Sequence, residues 1–246
     1  MLKPIAKRLA SGDEIIEYLD GRIQALLTTI EASELWRVLT SPDSDAALIR
    51  LVIRELHLEI YSYQSHMIEA AIAAIGQMPR SVKPRLIRAM LCHQAEEFDH
   101  GEMALKDYIA LGGDEQSARR CRMSPASFAV SAVWWMIAKM RDPFCYLGAL
   151  YPFEGLTPIV TSRVKPHLLA KGLLQNSLGF IEFHSTADLK HTHLVRGVLE
   201  EIVEKFPGSI DSIKHGLECF LSVYPLPVWN TAYERAQRAF KLSGDM

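Results

Sequence analysis

Apolar residues recur at intervals of three and four along almost the whole chain, and strict alternation over a strand-length run is hard to find. That periodicity points to an all-α fold, because a helix of about 3.6 residues per turn brings such positions onto one face. The pattern predicts helices near 13–37, 45–77, 83–111, 126–148, 156–169, 172–205 and 209–240. Between them, SPDSD (41–45), GQMPRSVKP (76–84), LGGDEQ (111–116), MSPAS (123–127) and FPGSID (206–211) combine glycine or proline with capping side chains. Ser124 and Ser209 stand where a hydroxyl could accept a bond from a free helix amide. Long helices with short connections predict a bundle forming one domain over 1–246, whose facing side chains can build an interior site.

Composition narrows the function. Of 246 residues, 49% are hydrophobic and 23% charged, enough apolar material for a sizeable core. With 27 basic and 29 acidic residues the formal net charge is −2, which argues against a nucleic-acid partner. Cys92, Cys121, Cys145 and Cys219 are scattered and form no C-x-x-C pair, so neither a disulfide framework nor a cysteine zinc site is expected. A reducing, cytoplasmic compartment fits. The start, MLKPIAKRLASGDE, lacks the apolar core of a secretory signal. FAVSAVWWMIA (128–138), closed by Lys139, Arg141 and Asp142, falls short of the ~20 residues of a spanning helix and reads as a buried one, with no membrane partner. Trp134, Trp135, Met136 and Met140 read as core packing, and Tyr61 and Tyr63 lie on the second helix at no predicted distance from a site.

Ligand-type residues concentrate in three stretches. In FHSTADLKHTHLV (183–195), His184, Asp188 and His191 project within about 60° of one another on a regular helix, while His193 lies about 180° away and belongs to the surface. His184 and His191 would stand about 10 Å apart along the axis, which suits two neighbouring ions better than one. The alternative is a helix face that holds polar residues by chance. LCHQAEEFDHGEMALKDY (91–108) contains Glu97-x-x-His100 on a predicted helix, the carboxylate and imidazole pair of dinuclear carboxylate bundles. Such pairs also simply face solvent. His93 falls on much the same face, and Glu96 precedes His100 by four residues, so the choice of acid stays open.

In YPFEGLTP (151–158), Glu154 sits among apolar and proline residues, where a buried carboxylate needs a cation or hydrogen-bond partners. The competing reading is an acid at the positive start of the next helix. Together Glu97, His100, Glu154, His184, Asp188 and His191 offer three carboxylates and three imidazoles, a donor set for iron or manganese rather than structural zinc. Three anionic ligands would leave about +1 on two divalent irons, a balance that favours redox work over storage.

In this order, EFDH (Glu97, His100), FEGLTP (Glu154) and HSTADLKH (His184, Asp188, His191) resemble the haem-oxygenase-like diiron oxidase and oxygenase superfamily, related in fold to thiaminase-II and pyrroloquinoline-quinone synthase proteins. The likeness spans about 50–205, and its last motif is the most specific. The spacing from acid to histidine matches the fatty-acid-decarboxylating branch; the death-domain-associating, para-aminobenzoate-forming branch uses a longer one. The resemblance implies a seven-helix bundle holding two irons per chain on those six residues, with Glu97, Glu154 and Asp188 also catalytic. It implies an iron-dependent redox enzyme that uses O2 and an electron donor to oxidise a small organic molecule in cofactor or natural-product biosynthesis. A homodimer is left open.

Three readings compete with it. A thiaminase-like hydrolase needs a nucleophilic cysteine with an activating base; Cys92 beside His93 is the nearest approach, yet adjacent helical positions point about 100° apart. A haem-degrading role would need one proximal histidine rather than a carboxylate-rich set. From outside enzymology comes a non-catalytic protein-interaction module on the same fold.

Overall fold

The computed structural model describes residues 12–140, 142–173, 178–184 and 187–244, and the side chains at 187–189 fall outside that description. In chain order the helices are α1 (Gly12–Glu31), α2 (Glu34–Thr40), α3 (Ala46–Gly76), α4 (Pro84–Glu96), α5 (His100–Ala110), α6 (Glu115–Arg120), α7 (Pro125–Lys139), α8 (Cys145–Ala170), α9 (Gly179–His184), α10 (Ala187–Lys205), α11 (Ile210–Leu221) and α12 (Leu226–Gly244). No strand occurs among the described residues. The all-α expectation therefore stands, with more and shorter segments than the periodicity predicts.

The long α3, 31 residues and about 46 Å, forms a spine against which α5, α7 and α12 pack. On the other side α8 lies against α10 and α11, and α1 covers α8 and α10. Trp134, Tyr146, Tyr151 and Phe220 are fully buried in the main core between these layers. A buried polar knot ties three helices together: Glu59 of α3 accepts from Ser124 and Ser127 at the start of α7, both at 2.5 Å, and pairs with Arg235 of α12 at 2.5 Å. A carboxylate this buried is tolerated because each oxygen is partnered.

Several boundaries move for identifiable reasons. The predicted helix 13–37 divides where the Ser33 hydroxyl caps α2 by accepting from the Trp36 amide. The stretch 83–111 divides at 97–99, between α4 and α5, and 209–240 divides at 222–225, with Pro225 just before α12 and Pro227 in its first turn. Ser124 caps α7 as expected, but Ser209, preceded by a 3-10 turn at Pro207–Ser209, makes no side-chain cap bond. Met136 is 66% exposed, so the apolar run of α7 buries only one face, and Met136 is not core.

The largest correction concerns Glu154. The chain is helical through 149–155, where a break is predicted; the break lies instead before Cys145, where Asp142 accepts from the Phe144 amide at 3.0 Å. The helix α8 runs for 26 residues with Pro152, Pro158 and Pro166 inside it. Burial of its first half, including Pro152 and Pro158, among neighbours that include α10 and α11 offsets the cost of those two prolines, a case of tertiary packing overriding local propensity, whereas Pro166 lies in the exposed last turns. Pro158 has no amide to give the Glu154 carbonyl, and the Thr192 hydroxyl of α10 donates to that carbonyl at 3.0 Å instead.

Candidate metal centre

Five helices converge on one buried cluster. Glu97 ends α4, its amide bonded to the His93 carbonyl at 3.0 Å, and His100 opens α5 with its amide on the Glu97 carbonyl at 3.2 Å. The pair is thus set across a kink rather than along a regular helix, and Phe98 at the kink points outward, 72% exposed. Glu154 comes from the middle of α8, which excludes the helix-start reading. His184 is the last residue of α9, and His191 lies in the second turn of α10. Residues 185–186 between them lie outside the described residues, so the expectation of one regular helix through 184–191 falls outside the description at that point.

The side chains meet closely. His100 Nδ1 lies 2.6 Å from Glu97 Oε2 and 3.0 Å from His184 Nε2. His191 Nδ1 lies 3.2 Å from Glu97 Oε1 and 3.5 Å from Glu154 Oε2, and His93 Nε2 lies 3.2 Å from Glu154 Oε1. All six residues are at most 5% exposed. They form two groups able to hold a metal ion, His93, Glu97, Glu154 and His191 in one and Glu97, His100 and His184 in the other, with Glu97 common to both. Of the six residues expected from the motifs, Glu97, His100, Glu154, His184 and His191 come together, while the Asp188 side chain lies outside the described residues. Of the two left open, His93 is inside and Glu96 is at the rim, bonded to His191 Nε2 at 3.0 Å and to Lys190 at 3.3 Å. His193 is exposed, as the helical arithmetic requires.

The electrostatics follow from crowding acids and imidazoles in one dry place. Burial would raise the Glu97 carboxyl, but hydrogen bonds from His100 and His191 outweigh it and hold the group at about 2. Glu154 is likewise lowered, because the close approach of the His191 and His93 rings overcomes its burial. For His191, burial opposes the charge, yet bonds to Glu154, Glu97 and Glu96 push it up to about 11. His184 goes the other way, to about 4, chiefly through burial and then through the neighbouring His100. Its Nδ1 lies 2.7 Å from the Phe180 carbonyl, so the neutral ring keeps its proton there and turns the Nε2 lone pair into the cluster, where it meets His100 Nδ1.

The donor chemistry fits a metal. His93 Nε2 and Glu97 Oε1 are buried without a hydrogen bond of good geometry, an arrangement rare in protein interiors unless something else sits between the groups. Supporting contacts hold the histidines in place. Buried Asp107 of α5 accepts from the Gly179 and Phe180 amides at 3.1 and 2.8 Å, anchoring α9 and hence His184, and Phe180 stacks on His184 with ring centroids 3.8 Å apart.

An apolar cavity opens beside the cluster. Its walls include Ile53, Ile60, Tyr63, Phe153, Val160, Val164 and Phe180, and Glu97, Glu154 and His184 supply its polar floor. His57, Gln64, Thr157 and Thr161 add isolated polar groups. None of the four cysteines lines it; Cys145 is buried elsewhere, where desolvation pushes its thiol up to about 12, and Cys92 and Cys121 are exposed. A thiol nucleophile is thus missing from the one place where a thiaminase-like hydrolase would use it.

A family described as iron-containing redox enzymes, haem-oxygenase-like, matches residues 54–224. Among solved structures, a domain of unknown function with a haem oxygenase-like fold from Shewanella denitrificans is 22% identical, with TM-score 0.75 over 93% of this chain and 94% of that one. A TenA homologue from Pseudomonas syringae is 12% identical, with TM-score 0.67 over 95% and 98% of the two chains. A TenA homologue from P. horikoshii is 12% identical, with TM-score 0.61 over 89% and 98%. At these identities the structural likeness establishes the fold: the chain adopts the haem-oxygenase-like, all-α architecture. No curated protein is significantly similar in sequence. No helix among the described residues is long and apolar enough to cross a membrane.

Proposed function

Because the chain belongs to the haem-oxygenase-like family of iron-containing redox enzymes, we propose that it is an O2-using diiron oxidase or oxygenase acting on a small organic molecule in a biosynthetic pathway. The observation that carries this reading is the pair of buried donor groups sharing Glu97 beside an apolar cavity. Two irons, or manganese in their place, would supply electrons to O2, with an external donor restoring them. Glu97 serves both metal positions. Glu154 and His191 complete one of them, His100 and His184 contribute to the other, and Asp188 is the further carboxylate expected from the motif. Glu97, Glu154 and Asp188 are the carboxylates that we assign to catalysis as well as to metal binding. The cavity walls orient that molecule by its apolar part and keep bulk water from the cluster.

The thiaminase-like reading draws on the fold shared with the TenA homologues, but the cavity offers it no thiol. The interaction-module reading draws on the fold alone and leaves the six buried donors without a role.

Asp188→Ala tests the ligand set. Anaerobic Fe2+ titration should give two irons per wild-type chain and fewer in the variant; undiminished uptake by the variant would remove Asp188 from the set. Proton release provides an independent check. Without metal, His191 stays protonated at neutral pH because its pKa lies near 11, so a cation coordinated there must expel that proton. Fe2+ affinity should therefore rise with pH across the neutral range, by about tenfold per pH unit for one displaced proton. A flat affinity profile would mean that His191 does not coordinate.

A further inference from the structure

We infer that His93 is a further protein donor to the metal position built on Glu97, Glu154 and His191, and that Gln94 sets its tautomer. This inference rests on the diiron reading above and adds to the six motif residues. His93 is 2% exposed, and it stands one helical turn before Glu97, so both side chains leave the same face of α4. Its Nε2 lies 3.2 Å from Glu154 Oε1 without a well-formed hydrogen bond, and its ring meets His191 edge to face with centroids 4.4 Å apart. Two imidazoles and two carboxylates then surround one space.

The opposite ring nitrogen explains how the donor is made ready. His93 Nδ1 lies 2.7 Å from the side-chain amide of Gln94, whose same terminal atom lies 3.3 Å from the Tyr146 hydroxyl. A histidine that binds metal through one nitrogen donates the proton on the other to an acceptor. The oxygen and nitrogen of a glutamine amide are interchanged by a simple flip. With the amide oxygen toward His93, Gln94 accepts from His93 Nδ1 and from Tyr146, and Nε2 is left bare toward the cluster. With the nitrogen there, Nε2 carries the proton and faces Glu154. Gln94 is thus a positioning residue, held by Tyr146, that selects between the metal-free and metal-binding tautomers.

The consequence is an asymmetric centre. His184 and the shared Glu97 line the apolar cavity, whereas His93 and His191 do not. A small molecule in the cavity therefore faces Glu97, Glu154 and His184, with the His93 and His191 rings behind them.

Anaerobic titration with Co2+, read by metal count and by visible ligand-field absorption, tests the inference without any turnover. Wild type should take up two ions. His93→Ala should keep one ion at wild-type affinity, lose at least about tenfold in affinity for the other, and lose that ion's absorption bands. Gln94→Leu, which leaves His93 in place, should weaken the same ion by about 10–100-fold, and Gln94→Glu, which retains an acceptor oxygen, should restore it. That rescue separates tautomer control from loss of packing, and the Gln94 pair decides the matter if His93→Ala does not fold. Two ions bound by His93→Ala or by Gln94→Leu with unchanged affinity and bands would overturn the inference while leaving the diiron reading intact. A wild-type chain that takes up no Co2+ and no Fe2+ would overturn both.

Discussion

Replacing Glu97 by alanine should abolish iron binding at both positions, where loss of His191 or of His184 should each remove one. The reason is geometric: among the described residues Glu97 alone is common to the two donor groups, with Oε2 on His100 and Oε1 on His191. Loss of an outer-shell partner costs about 10–100-fold in metal affinity, and loss of a shared carboxylate should exceed that at each site. Glu97→Gln preserves the shape and provides the matched control for folding. Measured by anaerobic Fe2+ uptake, both variants should retain helical content, and Glu97→Ala should hold less than a tenth of the wild-type iron. One iron held normally by Glu97→Ala would mean that the two groups do not share this residue.

The second large effect lies away from the metal, at the crossing of α8 and α11. A Cβ on Gly148 would overlap the Ile213 carbonyl, and a Cβ on Gly216 would overlap the Cys145 carbonyl. The obstacles are backbone atoms, so no rotamer change relieves them and the helices must separate. Gly148→Ala and Gly216→Ala should each destabilise the protein by about 3 kcal/mol or more, a fall in Tm on the order of 10 °C for a chain of this size. Gly197 is the control. It lies inside α10 with nothing near its missing Cβ, and Gly197→Ala should be neutral or stabilising by up to about 1 kcal/mol. Because α8 carries Glu154, the two damaging variants should also bind iron more weakly. Unchanged melting in both would mean that α8 and α11 do not cross this closely.

Which of these features can be read from the chain depends on whether short-range geometry decides them. The all-α class follows from periodicity, and Ser124 and the glycine-rich turn before α6 mark boundaries through local capping chemistry. His191 and His193 separate correctly on helical arithmetic alone, because both lie on α10. Glu154 is placed in the wrong local structure, because three prolines mask a helix that packing sustains. Glu97 and His100 meet at the expected i, i+3 spacing, but across a turn between α4 and α5 rather than along one helix. His93 and Glu96 cannot be ranked from spacing: both lie on α4, and only the position of α8 and α10 shows that one faces Glu154 while the other meets the outer edge of His191. The cavity is invisible in sequence for the same reason, since its walls come from α3, α8 and α9 together.

Oxygen uptake by the iron-loaded chain is the most direct test of an oxidase. Protein filled anaerobically with Fe2+, freed of unbound metal and then given O2 in an oxygen-electrode cell, should hold two irons per chain and consume O2 in proportion to those iron pairs, with Glu97→Ala consuming none. A chain that carries both irons yet takes up no oxygen would contradict the oxidase reading.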